Sequence, residues 1–513
     1  MSSPCPPCLV VKKLFWIRVS NQQIPDIILT CLVIWNLELE ISIMNPKRVV
    51  IIGGGPGGYV AAIRAAQLGG RVTLIEKDKI GGTCLNRGCI PTKALLADAK
   101  MLRKMRHSPV FQRLVQSHFN PLPSMMERKA KVVQDLVNGI EILLQSQRVT
   151  VKQGRADLLS PNQVVLSNEG DKREVLDADS IILAPGSHSK SLPNLELDGE
   201  KIITSDEALE LKKIPREIVI VGGGYIGMEF ATLLNILGSK VTIVEVLENI
   251  LPGLEAEMIR QFRRVIEADG VKILTQSTIE ETSSAGDGLK LVVKTPQGIQ
   301  EIMTEKVLVS VGRGSNLDLD FSKASVEISP KGIHVNSKME TTAPNVYAIG
   351  DATGGILLAH VASEQGVIAA ENAMGMNRPM EHHAVPLCIF TYPEIASIGL
   401  TEKEARAKGE IKMGRFPFRS NPTAVISAET EGLVKVIANK ENDEVLGVHI
   451  IGPEASVLVS IAGSLMRQRI SLRDFGQMMQ AHPTVSEALK EAALDADGLA
   501  IHLPKPLRPS AKG

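Results

Sequence analysis

A glycine pattern that occurs twice constrains the fold of this chain more than any other feature. Each copy has the spacing G-x-G-x-x-G, follows a run of β-branched apolar residues and precedes a helical pattern. Its glycines allow a tight turn, close approach of a pyrophosphate and close packing of helix on strand, while the helix N-terminus favours phosphate. The copies predict an α/β chain with two Rossmann-like dinucleotide-binding domains, at Gly53, Gly55 and Gly58 and again at Gly222, Gly224 and Gly227.

An acidic residue ends the second apolar run in both copies. Glu76 and Glu245 each lie 23 residues after the first glycine of their pattern, where a carboxylate accepts hydrogen bonds from ribose hydroxyls. At the second site Glu245 would repel a 2′-phosphate, and residues 246–250 contain no arginine to accommodate one. The second site is therefore predicted to bind NAD rather than NADP.

Two cysteines follow the first site, in the segment GGTCLNRGCIPTK. Pro91 favours a helix from Thr92, because proline suits a first helical turn, where its missing N–H is not needed. Cys89 then lies at a helix N-terminus, which lowers the pKa of a thiol and favours the thiolate. Four residues separate it from Cys84. The pair is interpreted as a reversible redox disulfide.

Two other interpretations of this cysteine pair are weaker. A zinc site needs a second pair of ligands at metal spacing, which the sequence does not offer, so no metal is predicted. A structural disulfide needs an oxidising compartment, and no secretion signal is recognised. If the sulfurs exchange electrons with a nicotinamide, a flavin is needed between two-electron hydride transfer and thiolate chemistry. FAD is therefore predicted at the first dinucleotide site.

A histidine near the C-terminus is a candidate base. His482 opens the segment HPTVSEALKEAAL, in which Glu487 follows five residues later. Thiol exchange needs a group that takes and returns a proton near neutral pH, which suits imidazole. A structural interpretation stays open, because Thr484 and Glu487 also fit a helix capping box.

Composition narrows the class of protein. The 513 residues suffice for three or four domains at about 150 residues each. The chain carries 57 basic and 57 acidic residues and no long basic stripe, so nucleic acid is not an expected partner. Residues 1–43 differ in composition and are interpreted as a leader outside the fold. Their longest apolar run, Ile27 to Trp35, is too short for a membrane span of about 20 residues, and a cytoplasmic protein is expected.

Several motifs together resemble the flavoprotein disulfide reductases. Besides the two glycine patterns they are GGTCLNRGCIPTK, VYAIGDAT, LCIFTYPEIASIGLTE and HPTVSEALKEAALDADGLAIH. The resemblance spans about Arg48 to His502. It implies an FAD-binding domain over 44–186, an NAD-binding domain over 187–312, a central domain over 313–383 that returns to the flavin, and an α+β interface domain over 384–505 that forms a homodimer.

The resemblance also implies the roles of the catalytic residues. Cys84 matches the interchange thiol that reacts with substrate, and Cys89 matches the thiolate that lies against the flavin. His482 would reach across the dimer to the partner chain's disulfide as the base, with Glu487 holding its imidazole. Many members carry a histidine where this chain has Gln480. This difference leaves open how the neighbouring residue adjusts the properties of His482, but not the role of His482.

Four further residues match family positions near the cofactors. Lys93 and Glu229 match a pair that tunes the flavin; without the resemblance both are ordinary helix residues. Asp351 matches a residue that holds the ribityl and phosphate region of FAD, although alone it reads as a turn residue. Tyr225 matches an aromatic lid over the nicotinamide pocket that some members carry, and its alternative is an exposed loop aromatic.

The motifs are most similar to those of family members that oxidise dihydrolipoyl groups with NAD. The implied partners are lipoyl-bearing subunits of 2-oxo acid dehydrogenase or glycine cleavage complexes. One alternative is a reductase for glutathione, mercuric ion or another disulfide, disfavoured by Glu245 and by the lack of a cysteine pair after Cys388. Another is a non-catalytic FAD-binding subunit of a complex, which would not need both redox cysteines and the His–Glu pair.

Overall fold

The computed structural model describes residues 46–114, 120–167 and 173–504. The predicted leader over 1–43 lies outside these residues. Within them, no helix combines the length and the apolar character that crossing a membrane would require.

The first part of the described chain is a parallel sheet with its helices, followed by three antiparallel strands. Its elements are β1 (Arg48–Ile52), α1 (Pro56–Gln67), β2 (Arg71–Glu76), α2 (Gly82–Arg87), α3 (Cys89–His107), α4 (Leu122–Ser146), β3 (Thr150–Gln153), β4 (Arg155–Ser160), β5 (Gln163–Ser167), β6 (Arg173–Asp177), β7 (Ser180–Leu183) and β8 (Ser187–Ser189).

The second glycine pattern lies in a second parallel sheet. Strand order there is β12-β11-β10-β16-β9, and β13, β14 and β15 form a separate antiparallel sheet. The elements are β9 (Ile202–Ile203), α5 (Ser205–Ala208), β10 (Glu217–Val221), α6 (Tyr225–Leu237), β11 (Lys240–Val244), α7 (Ala256–Ala268), β12 (Lys272–Leu274), β13 (Thr278–Ala285), β14 (Gly288–Thr295), β15 (Gly298–Thr304) and β16 (Lys306–Val309).

The next segment of chain returns to the first sheet. Its elements are β17 (Arg313–Ser315), β18 (Ile328–Ser329), β19 (Gly332–Ile333), β20 (Val346–Ala348) and α8 (Ala359–Ala373). Strand β20 pairs in parallel with β7, which completes the order β20-β7-β1-β2-β3. Strand β17 pairs antiparallel with β8. Residues distant in sequence therefore meet at the edge of the first sheet.

The C-terminal part is an antiparallel sheet with helices, in the strand order β21-β22-β25-β24-β23. The elements are β21 (Leu387–Ile389), β22 (Glu394–Gly399), α9 (Glu402–Arg406), β23 (Ile411–Pro417), α10 (Pro422–Ile426), β24 (Leu433–Asn439), β25 (Val445–Gly452), α11 (Ala455–Arg467), α12 (Leu472–Gln477) and α13 (Glu487–Asp495). The described chain therefore contains two α/β units with parallel sheets and one α+β unit, which is the fold class predicted from the sequence.

The apolar run of β1 is buried on both faces, as a strand inside a covered parallel sheet should be. Val49 and Ile51 belong to a core with residues of α1 and α8. Val50 and Ile52 face the other way and pack with residues of β4 and β5. This two-sided burial explains why the run before the glycines does not alternate between apolar and polar residues.

Helix α3 begins at Cys89, three residues earlier than the sequence indicates. The Thr92 N–H donates to the Gly88 carbonyl at 3.1 Å and closes the first turn, and Thr92 Oγ1 donates to the same oxygen at 2.6 Å. Pro91 lies within this turn, where its lack of an N–H breaks no helical bond. Cys89 is therefore the first residue of the helix.

Candidate functional site

The first glycine loop joins β1 to α1, and two of its glycines are required by the backbone itself. Gly53 has φ +104°, and a Cβ there would lie 2.1 Å from the Ala184 carbonyl oxygen. A Cβ at Gly58 would lie 1.8 Å from the Gly53 carbonyl oxygen. At Gly55, by contrast, the nearest protein atom to a Cβ is the Gly82 Cα at 4.0 Å. Contact within the chain does not require glycine there, whereas a phosphate against the backbone would.

The second glycine loop, between β10 and α6, repeats this arrangement. Gly222 has φ +105°, and a Cβ at Gly227 would lie 2.1 Å from the Gly222 carbonyl oxygen. At Gly224 a Cβ would have nothing within 4 Å. In the described residues neither α1 nor α6 has a side-chain cap at its N-terminus. Both loops therefore present free helix N–H groups beside open space, which fits a dinucleotide pyrophosphate at each.

Each predicted ribose-binding acid lies beside its glycine loop. Glu76 is buried, and its two oxygens accept the Gly54 N–H at 2.6 Å and the Asp78 N–H at 2.8 Å. Glu245 is also buried and accepts the Gly223 N–H at 2.6 Å and the Leu247 N–H at 2.8 Å. Because carboxylate oxygens have further lone pairs, both can still accept hydrogen bonds from ribose hydroxyls.

A cavity of about 1500 Å³ joins both glycine loops to the cysteine pair. Glu76, Cys84, Cys89, Glu245 and Asp351 all line it. The parallel sheets explain this convergence, since the carboxyl ends of their strands carry the ligand-binding loops.

The two cysteines are half-buried free thiols on two consecutive helices. Cys84 lies in α2, and Gly88 turns the chain between it and Cys89. A Cβ at Gly88 would lie 2.9 Å from the Thr83 carbonyl oxygen, so a side chain there would disturb the approach of the two helices. The turn places the two thiols close enough for each to change the pKa of the other.

The environment makes the two thiols unequal. A hydrogen bond from the Cys84 thiol, and then the nearby positive charge of Lys93, lower the pKa of Cys89 to about 7. The same hydrogen bond and burial raise the pKa of Cys84. Cys89 is therefore the sulfur that carries negative charge near neutral pH, as its place at a helix N-terminus predicts.

Lys93 and Glu229 form an ion pair beside the thiols. The Lys93 ammonium donates to both carboxylate oxygens of Glu229, at 2.9 and 2.7 Å. Helix α3 supplies the lysine and α6 supplies the glutamate, so a pair separated by 136 positions joins the two parallel units. Tyr225, the first residue of α6, is 39% exposed and lines the same cavity.

Asp351 lies in a short 3-10 turn after β20 and belongs to a polar chain on the cavity wall. It accepts a hydrogen bond from Ser187 Oγ. The Arg313 guanidinium donates one hydrogen bond to Ser187 Oγ and another to the Ser187 carbonyl oxygen, both at 2.8 Å. Sequence reasoning singled out Asp351 but missed Ser187 and Arg313, because β8 and β17 become neighbours only in the folded sheet.

His482 and Glu487 form the predicted pair. The His482 Nδ1 and Glu487 Oε1 atoms are 2.9 Å apart, and the Thr484 N–H donates to the other carboxylate oxygen at 3.0 Å. Although burial alone would raise it, these hydrogen bonds hold the pKa of Glu487 below its usual range. The His482 side chain is 69% exposed, and it is not among the residues that line the cavity. One chain therefore does not bring this pair to the cysteines.

Sequence reasoning also missed Phe390 and Cys388 as residues of the site. Both line the cavity that also holds the cysteine pair. They lie in the quoted segment LCIFTYPEIASIGLTE, but nothing in its pattern shows which side chains face a ligand. Burial raises the pKa of the Cys388 thiol to about 11, with a further contribution from Glu394, so this thiol stays protonated near neutral pH.

Comparison with known protein families identifies the chain. Residues 47–366 match the pyridine nucleotide-disulphide oxidoreductase domain, and residues 385–493 match the dimerisation domain of the same family. The chain belongs to the pyridine nucleotide-disulphide oxidoreductases. The predicted family and the predicted α/β fold class are both confirmed.

Relatives of this pyridine nucleotide-disulphide oxidoreductase cover most of its length. It is 42% identical to a dihydrolipoyl dehydrogenase of Bacillus subtilis, over 88% of this chain and 99% of the relative. It is 41% identical to mitochondrial dihydrolipoyl dehydrogenase 1 of Arabidopsis thaliana, over 90% of this chain and 92% of the relative. The crystal structure of LpdA from Mycobacterium tuberculosis is similar with a TM-score of 0.81 at 27% identity, covering 87% of this chain and 99% of that one.

A substitution in the first glycine loop tests whether its geometry is required for cofactor binding. Gly58→Ala would force a methyl group against the Gly53 carbonyl, a backbone atom that cannot rotate away. We expect purified Gly58→Ala protein to lose its bound flavin, measured as flavin absorbance per chain. Gly139→Ala is the control, since this helical glycine has nothing within 4 Å. It should keep its flavin and gain up to about 1 kcal/mol of helix stability. Full flavin content in Gly58→Ala would contradict the assigned site.

Proposed function

We propose that this chain is a dihydrolipoyl dehydrogenase. It oxidises the dithiol of a protein-bound dihydrolipoyl group to the disulfide and passes the electrons to NAD. The observation that carries the proposal is the thiol pair with unequal pKa values, placed in one cavity between two dinucleotide loops. The naming of relatives at about 40% identity over most of the chain supports it.

The proposed reaction begins with thiol–disulfide exchange. A substrate thiolate attacks Cys84 of the oxidised pair, forms a mixed disulfide and releases Cys89 as a thiolate. The second substrate thiolate then attacks the sulfur of the first, closes the substrate disulfide and releases Cys84. The pair has gained two electrons and the substrate has lost two. FAD and NAD are the cofactors of the enzyme, and when bound they would supply the hydride chemistry by which these two electrons reduce NAD to NADH.

The chain's own groups provide charge control in this scheme. Lys93 favours the Cys89 thiolate, and Glu229 holds the Lys93 ammonium in place. Asp351, fixed by Ser187, would accept a hydrogen bond from the ribityl or phosphate region of FAD. Tyr225 would cover the nicotinamide pocket. These roles stay predictions, and the contacts above support them.

The base of the proposed reaction comes from a second copy of the chain. His482 would take the proton of the substrate thiol and return it, while Glu487 accepts from Nδ1 and leaves Nε2 free for the proton. Its exposure and its place outside the cavity support action across a homodimer, as does the dimerisation domain.

Substrate and coenzyme choice test the proposal directly. We expect rapid steady-state turnover of dihydrolipoamide with NAD and little turnover of glutathione disulfide with NADPH. The buried Glu245 supports the preference for NAD, because a 2′-phosphate there would meet a carboxylate of like charge. The reverse preference would favour a disulfide or mercuric reductase. Bound FAD without turnover of any disulfide would favour a non-catalytic subunit.

The pKa of Cys89 predicts how the reduced enzyme responds to pH. Because this pKa is lowered from 9.0 to about 7, the thiolate is present above pH 7 and is lost as the pH falls through that value. We expect the long-wavelength thiolate-to-flavin absorbance of the two-electron-reduced holoenzyme to halve near pH 7. A midpoint near the ordinary thiol value would contradict the assigned electrostatics.

The wider setting is also part of the proposal. Lipoyl-bearing subunits of a 2-oxo acid dehydrogenase or glycine cleavage complex would supply the dihydrolipoyl groups, and the cytoplasm is the proposed location. The domain limits 44–186, 187–312, 313–383 and 384–505 stay predictions. The strands and helices support the limits after 186, 312 and 383, each of which lies in a connection between elements, whereas 44 and 505 lie outside the described residues.

A further inference from the structure

Phe390 lies where three segments meet, in the cavity that holds the redox thiols. It follows β21 in the C-terminal unit, is partly buried and lines the cavity that holds both cysteines. The Lys93 ammonium lies over its ring, 4.9 Å from the ring centre. A cation over the face of an aromatic ring is attracted by the negative potential of that face.

The backbone of Phe390 contacts the other member of the ion pair. Its N–H donates to Glu229 Oε1 at 3.0 Å, the oxygen that also accepts from Lys93 at 2.9 Å. One residue therefore contacts both charges, by its ring and by its N–H. Three segments that are far apart in sequence meet here: α3, α6 and the end of β21.

The ring constrains a charge that is otherwise held from one side. Lys93 has a flexible four-carbon stem, and its side chain is 31% exposed towards the cavity. The Glu229 carboxylate and the Phe390 ring together restrict where the ammonium can lie. The position of this ammonium matters, because its charge acts on the nearby Cys89 sulfur.

We propose that Phe390 is a positioning residue, which holds the Lys93 ammonium where it stabilises the Cys89 thiolate. The inference rests on the proposed function of Cys89 and adds to it a residue from the C-terminal unit. Phe390 itself exchanges no proton or electron.

Other titratable groups surround the thiolate, and each is left unchanged in the test. Cys84 lies on α2 and, after burial, is a second cause of the raised pKa of Tyr59 on α1. The pKa of Cys388 on β21 is raised by burial and by Glu394 and lowered by Lys93. Glu229 on α6 opposes Lys93 by raising the pKa of Cys89. A weakened hold on Lys93 therefore leaves Glu229 as the stronger influence and should raise this pKa.

The experiment titrates the long-wavelength absorbance of the two-electron-reduced holoenzyme against pH in a double-mutant cycle. Phe390→Leu removes the ring, and Phe390→Met is a second ringless variant in case the first folds poorly. Phe390→Tyr keeps the ring as the matched control. The ringless substitutions are made both in the wild-type chain and with Lys93→Met.

We expect Phe390→Leu to raise the midpoint by about half a pH unit, because a displaced ammonium loses part of its interaction with the thiolate. Phe390→Tyr should leave it unchanged. In the Lys93→Met background, removal of the ring should cause no further shift. An equal shift in both backgrounds would overturn the inference, because the ring would then act by packing alone, and so would no shift in either. A wild-type enzyme without this absorbance would overturn the proposed function as well.

Discussion

Replacing Cys89 with serine is expected to abolish dihydrolipoamide oxidation, with a loss of about 10³-fold or more. Serine cannot form the disulfide with Cys84, and its hydroxyl does not ionise near neutral pH. The variant should still bind FAD, since no glycine of the first loop is changed. Two-electron reduction of Cys89→Ser should yield none of the long-wavelength absorbance that a thiolate beside the flavin produces.

Cys388→Ser is the matched control for this prediction. Cys388 lines the same cavity, but its raised pKa keeps it protonated near neutral pH. We expect this variant to keep both the absorbance and the turnover. Persistence of the absorbance in Cys89→Ser would show that another sulfur carries the charge.

Replacing His482 with glutamine is expected to slow dihydrolipoamide oxidation by about 10²-fold or more, the usual contribution of a positioned base. Glutamine keeps a polar side chain of similar reach but cannot take a proton. Oxidation of NADH by artificial dyes should stay largely intact, because that reaction bypasses thiol exchange. Steady-state rates of the two reactions, measured on the same preparation, provide the comparison.

His502 offers a control of the same chemical kind. It is 68% exposed, and its Nδ1 lies 2.9 Å from a carboxylate oxygen of Glu491, one turn after Glu487 on α13. His502→Gln therefore removes an imidazole that is paired with a glutamate, as His482 is, but leaves the proposed base in place. We expect its turnover to be unchanged. Equal loss of both activities in His482→Gln would refute the role of His482 as a base.

Local sequence was sufficient for the two dinucleotide loops. Gly53 and Gly222 have a positive φ, and a Cβ at Gly58 would meet the Gly53 carbonyl, so the local backbone alone already favours glycine at all three positions. The start of α3 was placed three residues late, because the pattern shows where proline is tolerated and not which carbonyl closes the first turn. Such errors are limited to element ends.

Contacts between segments that are distant in sequence could not be predicted from local sequence patterns. The pairing of Lys93 with Glu229 was expected only from a resemblance, and Phe390 was not expected at all. Each partner is a common residue in an ordinary helix or strand when viewed alone. Their role arises because α3, α6 and β21 converge on one cavity, which is a property of packing among three units.

Short segments of the sequence were enough to predict the groups that carry the chemistry of this enzyme. These are the glycine loops, the acids that follow them, the cysteine pair and the His–Glu pair. Spacing suffices for these features, because turns, helix ends and strand ends are set by neighbouring residues. Only the tertiary structure decided that both loops open into the cavity of the thiols, that Glu229 meets Lys93 there, and that His482 lies outside that cavity. Electrostatic influence depends on distance and burial, and folding alone brings those charges together.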